Sequence, residues 1–471
     1  MTDAADTPIP LDPDASARHA VAIAAHLARL GVDAGDIVAI LAGNHPGFVA
    51  ARDAVTALGA MLAPINPRLA APEIAFIVGH ARPRAVLVDR KHAAAFAGAR
   101  TRVTVIEDIV PTSNAGAHTI DPTRAGATLL YTSGTTGRPK GCVRPESAEA
   151  ARLTELRSTY SLSPDDVHLV ACPLAHSAPG SFLRAARAAG AHTVLLERFR
   201  PHAFLDAIVA TRTTVCFLVP TQVHRLLELP AAERAHDLSS VRAVIVAGAP
   251  IATVTKARLA EWLGPGRLWE FYGSSETGTI TVIGPDEHAA HPGSVGRAPA
   301  GVSIRIHDGE VFVRSAALMA GYLGEVGASN VDKVDTVPGH ISVGDLGQLD
   351  EGGWLTLVDR KHDTIISGGS NVYPAEVERV LAEHPAVAGV VVFGTEDSDW
   401  GQVVTALVAP RGAARLDAAE LTGFLREQLA GYKLPRRWAT CSVAELPIGG
   451  SGKALRRAAR DGFLAGAYAP L

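Results

Sequence analysis

Cysteine is scarce in this chain of 471 residues: Cys142, Cys172, Cys216 and Cys441 are scattered, and no CxxC pair occurs. That pattern excludes a disulfide framework or zinc scaffold and reads as small buried hydrophobes in a reducing compartment. No apolar run approaches the about 18 residues that a spanning helix needs, so no membrane span is expected. Positive charge is not in excess either, the formal net charge being −4. A nucleic-acid partner demands a clustered positive surface, and short basic pairs such as Arg456-Arg457 read as a solvated helix face. Histidines such as His192 and His291 lack metal-ligand spacing, and no catalytic triad stands out. The opening Met1–Asp14 is polar and Pro/Asp-rich, with no apolar signal core. The expectation is a soluble cytoplasmic protein.

What the chain has is length and apolar content. Hydrophobic residues make up 47%, and the length suits one large unit plus one small one. Short apolar runs such as Ile37–Leu41, Ala85–Val88, Thr193–Leu196, Val215–Val219 and Val241–Val246 alternate with helical stretches. Continuous apolar strands separated by helices predict parallel-type sheets covered on both faces, an α/β architecture with two plausible halves. An Ala-rich segment after Val88 reads as helical. After about Ser294 the strands shorten, as in Val302–Ile306 and Val311–Val313, and predict a small β-rich subdomain. The charged segment Asp359–Asp363 marks the domain boundary, giving an N-terminal core over 1–359 and a small α+β unit over 360–471. Within that unit Asp417 and Glu420 form a capping box for a helix carrying Leu421, Phe424, Leu425 and Leu429, ended by Gly431.

The most informative run is Leu129-Leu130-Tyr131-Thr132-Ser133-Gly134-Thr135-Thr136-Gly137-Arg138-Pro139-Lys140-Gly141. Two apolar residues close a strand, and a loop rich in glycine and hydroxyls ends in a lysine. Gly134 and Gly137 let backbone N–H groups approach phosphate oxygens, Thr132, Ser133, Thr135 and Thr136 add hydroxyl donors, and Lys140 adds a mobile cation. The spacing is not that of a Walker A loop, which wants GxxxxGK[ST]. Ligands on parallel sheets sit at the carboxyl ends of strands, where the loops after Leu130, Val246 and Phe271 all fall.

The run resembles the phosphate loop of the adenylate-forming superfamily, which contains acyl-CoA synthetases, adenylation domains and luciferases. Further resemblances follow in order. Phe271-Tyr272-Gly273-Ser274-Ser275-Glu276-Thr277-Gly278 is similar to its aromatic-Gly-x-x-Glu motif, and Val343-Gly344-Asp345-Leu346-Gly347 to its TGDLG motif. Asp359-Arg360-Lys361-His362-Asp363 is similar to its hinge, Ser367-Gly368-Gly369-Ser370-Asn371 to the loop that follows, and Gly450-Ser451-Gly452-Lys453 to its terminal lysine motif. The resemblance covers nearly the whole chain.

It implies ATP, Mg²⁺ and CoA as cofactors and assigns roles. Glu276 helps hold Mg²⁺, Thr277 offers a hydroxyl to the α-phosphate, and Tyr272 stacks on adenine against Gly248-Ala249-Pro250. Asp345 accepts from the ribose hydroxyls, with Arg360 as a second contact. Lys453 bridges the carboxylate and α-phosphate oxygens. The small domain is mobile: it rotates so that Lys453 leaves and the Gly368-Gly369 loop lines the pantetheine tunnel. His176 matches a histidine beside the acyl pocket, for which gating and an ordinary core role are both open. The pocket should also include Ser177, Ala178, Gly180, the Ala247–Ala249 turn and Gly273. Three departures stand out: Val343 for Thr, Asp359 for Gly, and His362 where the family has Asp or Lys, which bears on the hinge's pH dependence.

The resemblance implies an acyl- or aryl-CoA ligase acting on a small carboxylic acid, with no nucleic-acid partner. The alternatives are transfer of the adenylate to a carrier-protein thiol or an amine, an unusual acid such as nitrite, or an inactive nucleotide-binding module. Retention of Lys140, Glu276, Asp345 and Lys453 together speaks against the last. Whether the chain is a monomer or a homodimer is open, and so is the acid.

Overall fold

The protein is described by a computed structural model that covers residues 7–96, 102–111, 119–132, 139–324, 337–360, 363–367, 370–397, 400–429, 431–449 and 453–471. Two seven-stranded sheets dominate the first 324 residues. The first runs, in spatial order, Gly321–Tyr322, Lys140–Arg144, Thr128–Thr132, Met61–Ile65, Ile37–Leu41, Ala85–Val88 and Val103–Val105. The second runs Ile9–Pro10, His192–Leu195, Val167–Val170, Val215–Leu218, Ala243–Val246, Leu268–Ser274 and Gly278–Ile283. Each holds five parallel strands and carries antiparallel strands at its margins. The apolar runs explain the parallel part: Val38–Leu41 and Val215–Leu218 are buried throughout, as strands covered on both faces must be.

The antiparallel margins refine the sequence expectation. Thr128–Thr132 and Lys140–Arg144 pair as a hairpin around the glycine-rich run. Leu268–Ser274 continues three residues past Phe271, so Tyr272 and Gly273 belong to a strand, and the turn begins only at Ser274. Helices begin where local chemistry dictates. Asp12 Oδ1 accepts from the N–H groups of Asp14 and Ala15 at 2.9 and 3.0 Å, and Pro13 opens the helix Pro13–Arg29. The Ala-rich segment after Val88 is not an α-helix: Arg90–Phe96 forms 3₁₀ turns. Asp89 Oδ1 accepts from the His92 N–H at 2.9 Å and lies 2.6 Å from its ring nitrogen, which caps the start of these turns.

A four-stranded antiparallel sheet of Ser303–His307, Glu310–Arg314, Ile341–Leu349 and Leu355–Arg360 forms the expected β-rich part. Beyond it, Ile365–Ser367, Val387–Asp397, Gly401–Pro410 and Arg437–Thr440 build a further sheet with the helices Pro374–Glu383, Ala418–Arg426 and Arg456–Leu464. Asp417 caps its helix by accepting from the Glu420 N–H at 2.9 Å. That helix ends at Arg426, earlier than the apolar spacing predicts, because the N–H groups of Gln428 and Leu429 both turn back to the Leu425 carbonyl.

Two buried polar devices join the large sheets. Asn44 donates to the carbonyls of Cys172 and Leu196 at 2.9 and 3.2 Å and accepts from the Leu174 N–H at 2.9 Å. Glu149, on the helix Glu146–Thr159, is fully buried; it accepts from Thr128 Oγ1 and from Arg184 Nη2 at 2.6 Å, and lies 3.5 Å from Arg144 Nε. It thereby ties the hairpin of one sheet to the helix Ser177–Ala188 beside the other.

Burial alone would raise the Glu149 pKa, but the facing arginines and the Thr128 hydroxyl outweigh it and pull it from 4.5 to about 2. A carboxyl depressed on folding stabilises the native state above its unfolded pKa and releases that stability as pH falls through the folded one. Denaturant unfolding should therefore lose stability from about pH 4.5 toward pH 2. Glu149→Gln at pH 7 should lower stability by about 3–5 kcal/mol, as removal of one partner of a buried pair does, and should flatten that acid limb.

Candidate active site

The hairpin Thr128–Thr132/Lys140–Arg144 and the strand Leu268–Ser274 bring the motifs together. On Lys140–Arg144 the alternation of side chains puts Lys140, Cys142 and Arg144 on one face. Cys142 Sγ, at the centre of that face, lies 3.3 Å from the Ser275 carbonyl, which seats the face against the Ser274–Thr277 turn. Lys140 Nζ lies 4.9 Å from the centre of the Tyr322 ring, and the Tyr322 hydroxyl donates to Glu276 Oε1 at 3.2 Å. A cation, an aromatic ring and a carboxylate are thus linked at the exit of the glycine-rich run.

The turn itself is held by hydroxyls. Ser274 Oγ accepts from the N–H groups of Glu276 and Thr277, both at 3.2 Å, and lies 3.0 Å from Thr277 Oγ1. Thr277 is fully buried, and its hydroxyl donates to the Gly278 carbonyl at 3.2 Å. The half-buried Glu276 projects from the same turn. Just before it, Tyr272 donates its hydroxyl to Asp345 Oδ2 at 2.5 Å. Asp345 pairs in register with Arg360 across the β-rich sheet, and it is nearly buried.

Gly273 sits at the irregularity where the pairing register shifts between Leu268–Ser274 and Gly278–Ile283. A Cβ there would stand 2.2 Å from the Gly278 carbonyl oxygen. Gly248-Ala249-Pro250 follows the strand Ala243–Val246, with Gly248 at φ +96° and exposed, as a turn at a strand's carboxyl end permits. His176 precedes the helix Ser177–Ala188 without capping it by its side chain, and its Nε2 lies 3.3 Å from Asn66 Nδ2. Burial, assisted by Arg68, lowers its pKa, so the ring is neutral at pH 7.

Thr132 ends its strand at the entrance to the run. Ser133, Gly134, Thr135, Thr136, Gly137, His362, Gly368 and Gly369 lie outside the described residues, as does the side chain of Arg360. Lys453 belongs to the C-terminal unit, where its carbonyl accepts from the Gly449 N–H at 2.7 Å beside an Ile448–Ala454 bridge. Two partners escaped the sequence reading: Tyr322, a lone tyrosine in a two-residue strand, and Ser274, a motif position whose type carries no obvious signal. Only their place against Lys140 and Thr277 reveals them.

Comparison with known proteins places the chain. The model for AMP-binding enzymes matches residues 16–323, and that for the AMP-binding enzyme C-terminal domain matches 376–453. The chain therefore belongs to the AMP-binding, adenylate-forming enzymes. It is 35% identical to the indoleacetate–CoA ligase of Aromatoleum aromaticum, covering 92% of this chain and 89% of that protein. The amide bond synthetase McbA of Marinactinospora thermotolerans has 32% identity and a TM-score of 0.83, with 95% and 94% of the two chains covered. The o-succinylbenzoate CoA synthetase of Bacillus subtilis, solved with its acyl-adenylate intermediate, has 30% identity and a TM-score of 0.82, with 95% and 92% covered.

Gly273→Ala should cost about 1–3 kcal/mol of stability, since the backbone oxygen it meets cannot swing aside. A thermal melt checks this, and an unchanged melting temperature would contradict the close approach.

Proposed function

We propose that this protein is an AMP-forming acid–thiol ligase. It joins ATP and a small carboxylic acid as an acyl-adenylate, releases pyrophosphate, then transfers the acyl group to CoA and releases AMP. The observation that carries this reading is the meeting of Lys140, Tyr322 and Glu276 with the Tyr272–Asp345 pair across one short turn. Family membership over both parts of the chain supports it.

A carboxylate oxygen attacks the α-phosphorus in line as pyrophosphate departs, so the protein's work is positioning and charge stabilisation. Lys140 and the run Thr132–Gly137 hold the departing phosphates. Tyr272 presents its ring to adenine against Gly248-Ala249-Pro250, and its bond to Asp345 keeps the carboxylate aimed at the ribose hydroxyls, with Arg360 beside it. Thr277 donates to the α-phosphate when it exchanges its bond to the Gly278 carbonyl for a ligand oxygen. His176, neutral and tied to Asn66, borders the acid.

Glu276 fits a Mg²⁺ ion, being a half-buried carboxylate facing Lys140 through Tyr322; among the described residues no cluster of three acidic, His or Cys ligands exists, so nucleotide oxygens would complete its shell. Glu276 would hold the ion there, where it would supply neutralisation of phosphate charge. Lys453 bridges the acid and the α-phosphate in the first half-reaction. In the second, Gly368 and Gly369 line the path of the thiol arm. The division into a core over 1–359 and a mobile unit over 360–471 belongs to this reading.

The likeness to an amide bond synthetase favours a second acceptor, an amine, over the same acyl-adenylate. Mass analysis of products formed with CoA or with amines separates the two: a CoA thioester supports the ligase, and an amide with no thioester overturns it in favour of the amine.

Lys453→Ala should lower acid-dependent ATP–pyrophosphate exchange by about 10²–10³-fold, the loss that follows removal of one transition-state donor. It should spare thioester formation from supplied acyl-adenylate and CoA. Gly369→Trp should do the reverse. Equal loss of both half-reactions in both variants would contradict the exchange of catalytic groups.

A further inference from the structure

The loop after the strand Met61–Ile65 holds one side chain in a fixed orientation against the candidate cleft. Asn66-Pro67-Arg68-Leu69 forms a tight turn in which the Leu69 N–H donates to the Asn66 carbonyl at 3.1 Å, with Pro67 at its second position. Inside that turn the Arg68 N–H donates to Asn66 Oδ1 at 3.0 Å. The other side of the same amide meets His176, whose Nε2 lies 3.3 Å from Asn66 Nδ2.

These two contacts fix the protons. A backbone N–H only donates, so the amide oxygen faces Arg68 and the NH₂ group faces the ring. An NH₂ group also only donates, so Nε2 is the bare, accepting nitrogen. The ring is neutral at pH 7, because burial and the nearby Arg68 charge both disfavour a second proton. Its single proton therefore sits on Nδ1. Arg68 is the charged group that faces the ring, while Arg144, which reaches the next residue, is tied to Ser177 Oγ at 3.2 Å.

That Nδ1–H points to open space. Among the described residues it has no hydrogen-bond partner, yet it is not one of the buried polar atoms left without one, so solvent reaches it. The start of the following helix is open in the same way. Ser177, Ala178 and Gly180 are half-exposed, whereas Ser181 through Ala186 are buried.

We infer that Asn66 is a positioning residue, which locks His176 in the tautomer whose Nδ1–H donates to a carboxylate oxygen of the acid. This rests on the adenylation reading of the site and gives His176 the task of orienting the acid for attack on the α-phosphorus. A donor suits that task, since a bare nitrogen in its place would repel the carboxylate. With Nε2 held by Asn66, the ring offers the cleft a donor and no base.

Asn66→Asp tests this, because it keeps the shape and the Arg68 bond but replaces the NH₂ group by an oxygen that only accepts. Nε2 must then carry a proton, and the new carboxylate raises the ring's pKa above the wild-type value. Below that pKa both nitrogens are protonated and the donor survives; above it Nδ1 is bare. The measurement is ATP–pyrophosphate exchange with the best substrate among benzoate, phenylacetate, cinnamate and hexanoate. Relative to the wild type, kcat/KM of Asn66→Asp should fall by about 10–100-fold between about pH 6 and pH 9, the range for a hydrogen bond to a charged group. The fall should vanish when His176→Gln is added. A profile parallel to the wild type's would overturn the donor role, since a merely structural defect lowers the rate without adding a pH limb. Should Asn66→Asp fail to fold, the wild-type ring decides by ¹⁵N-histidine NMR, with His176 assigned by its loss in His176→Gln. Protonated Nδ1 and bare Nε2 support the inference, and the reverse overturns it. Exchange with none of the acids would overturn the adenylation reading and the donation with it, and the ring spectrum would still decide the tautomer.

Discussion

One buried carboxylate holds the candidate active site in place. Glu149 has no access to water, yet its depressed pKa keeps it ionised, because Arg184, Arg144 and Thr128 approach it from three different elements. Thr128 and Arg144 belong to the hairpin that bears the glycine-rich run, and Arg184 belongs to the helix that His176 opens. The hairpin around the glycine-rich run and the helix Ser177–Ala188 are therefore fixed to one another through a single side chain. Asn44 reinforces the joint by binding three backbone groups of the second half from a loop of the first. Polar groups buried this deeply hold their position only when their partners hold theirs, which is what a site for in-line transfer requires.

The same logic runs through the rest of the cleft. Tyr322 links Lys140 to Glu276, and Tyr272 links its strand to Asp345. Neither link is a contact between neighbours in sequence: Tyr272 and Asp345 are 73 residues apart. The chain commits three separate sheets to one turn of four residues, and the hydroxyl of Ser274 shapes that turn.

Much of this was legible in the residues. Ile37–Leu41 and Ala85–Val88 are strands with the bounds their apolar runs set, because a strand buried on both faces has no polar position to blur its ends. The β-rich stretch after Ser294 and the Asp417 cap were also readable, since each rests on short-range chemistry. The antiparallel margins were not, because pairing direction depends on where the next strand lands. The 3₁₀ turns over Arg90–Phe96 were hidden because an Ala-rich run with a capping Asp ahead of it reads the same for a 3₁₀ turn as for an α-helix. Arg144 and Arg152 were invisible as buried groups: on a helix or strand an arginine reads as solvent-facing until the fold shows that the face is covered.

The oxygen chemistry of the first step tests acid activation most directly. If the acid attacks the α-phosphorus, one of its two carboxylate oxygens stays with AMP when CoA displaces the acyl group. Incubation of ¹⁸O-labelled acid with ATP, Mg²⁺ and CoA, read by mass spectrometry of the nucleotide, should give AMP carrying one ¹⁸O and a thioester retaining the other. Unlabelled AMP, or ADP in place of AMP, would contradict the acyl-adenylate.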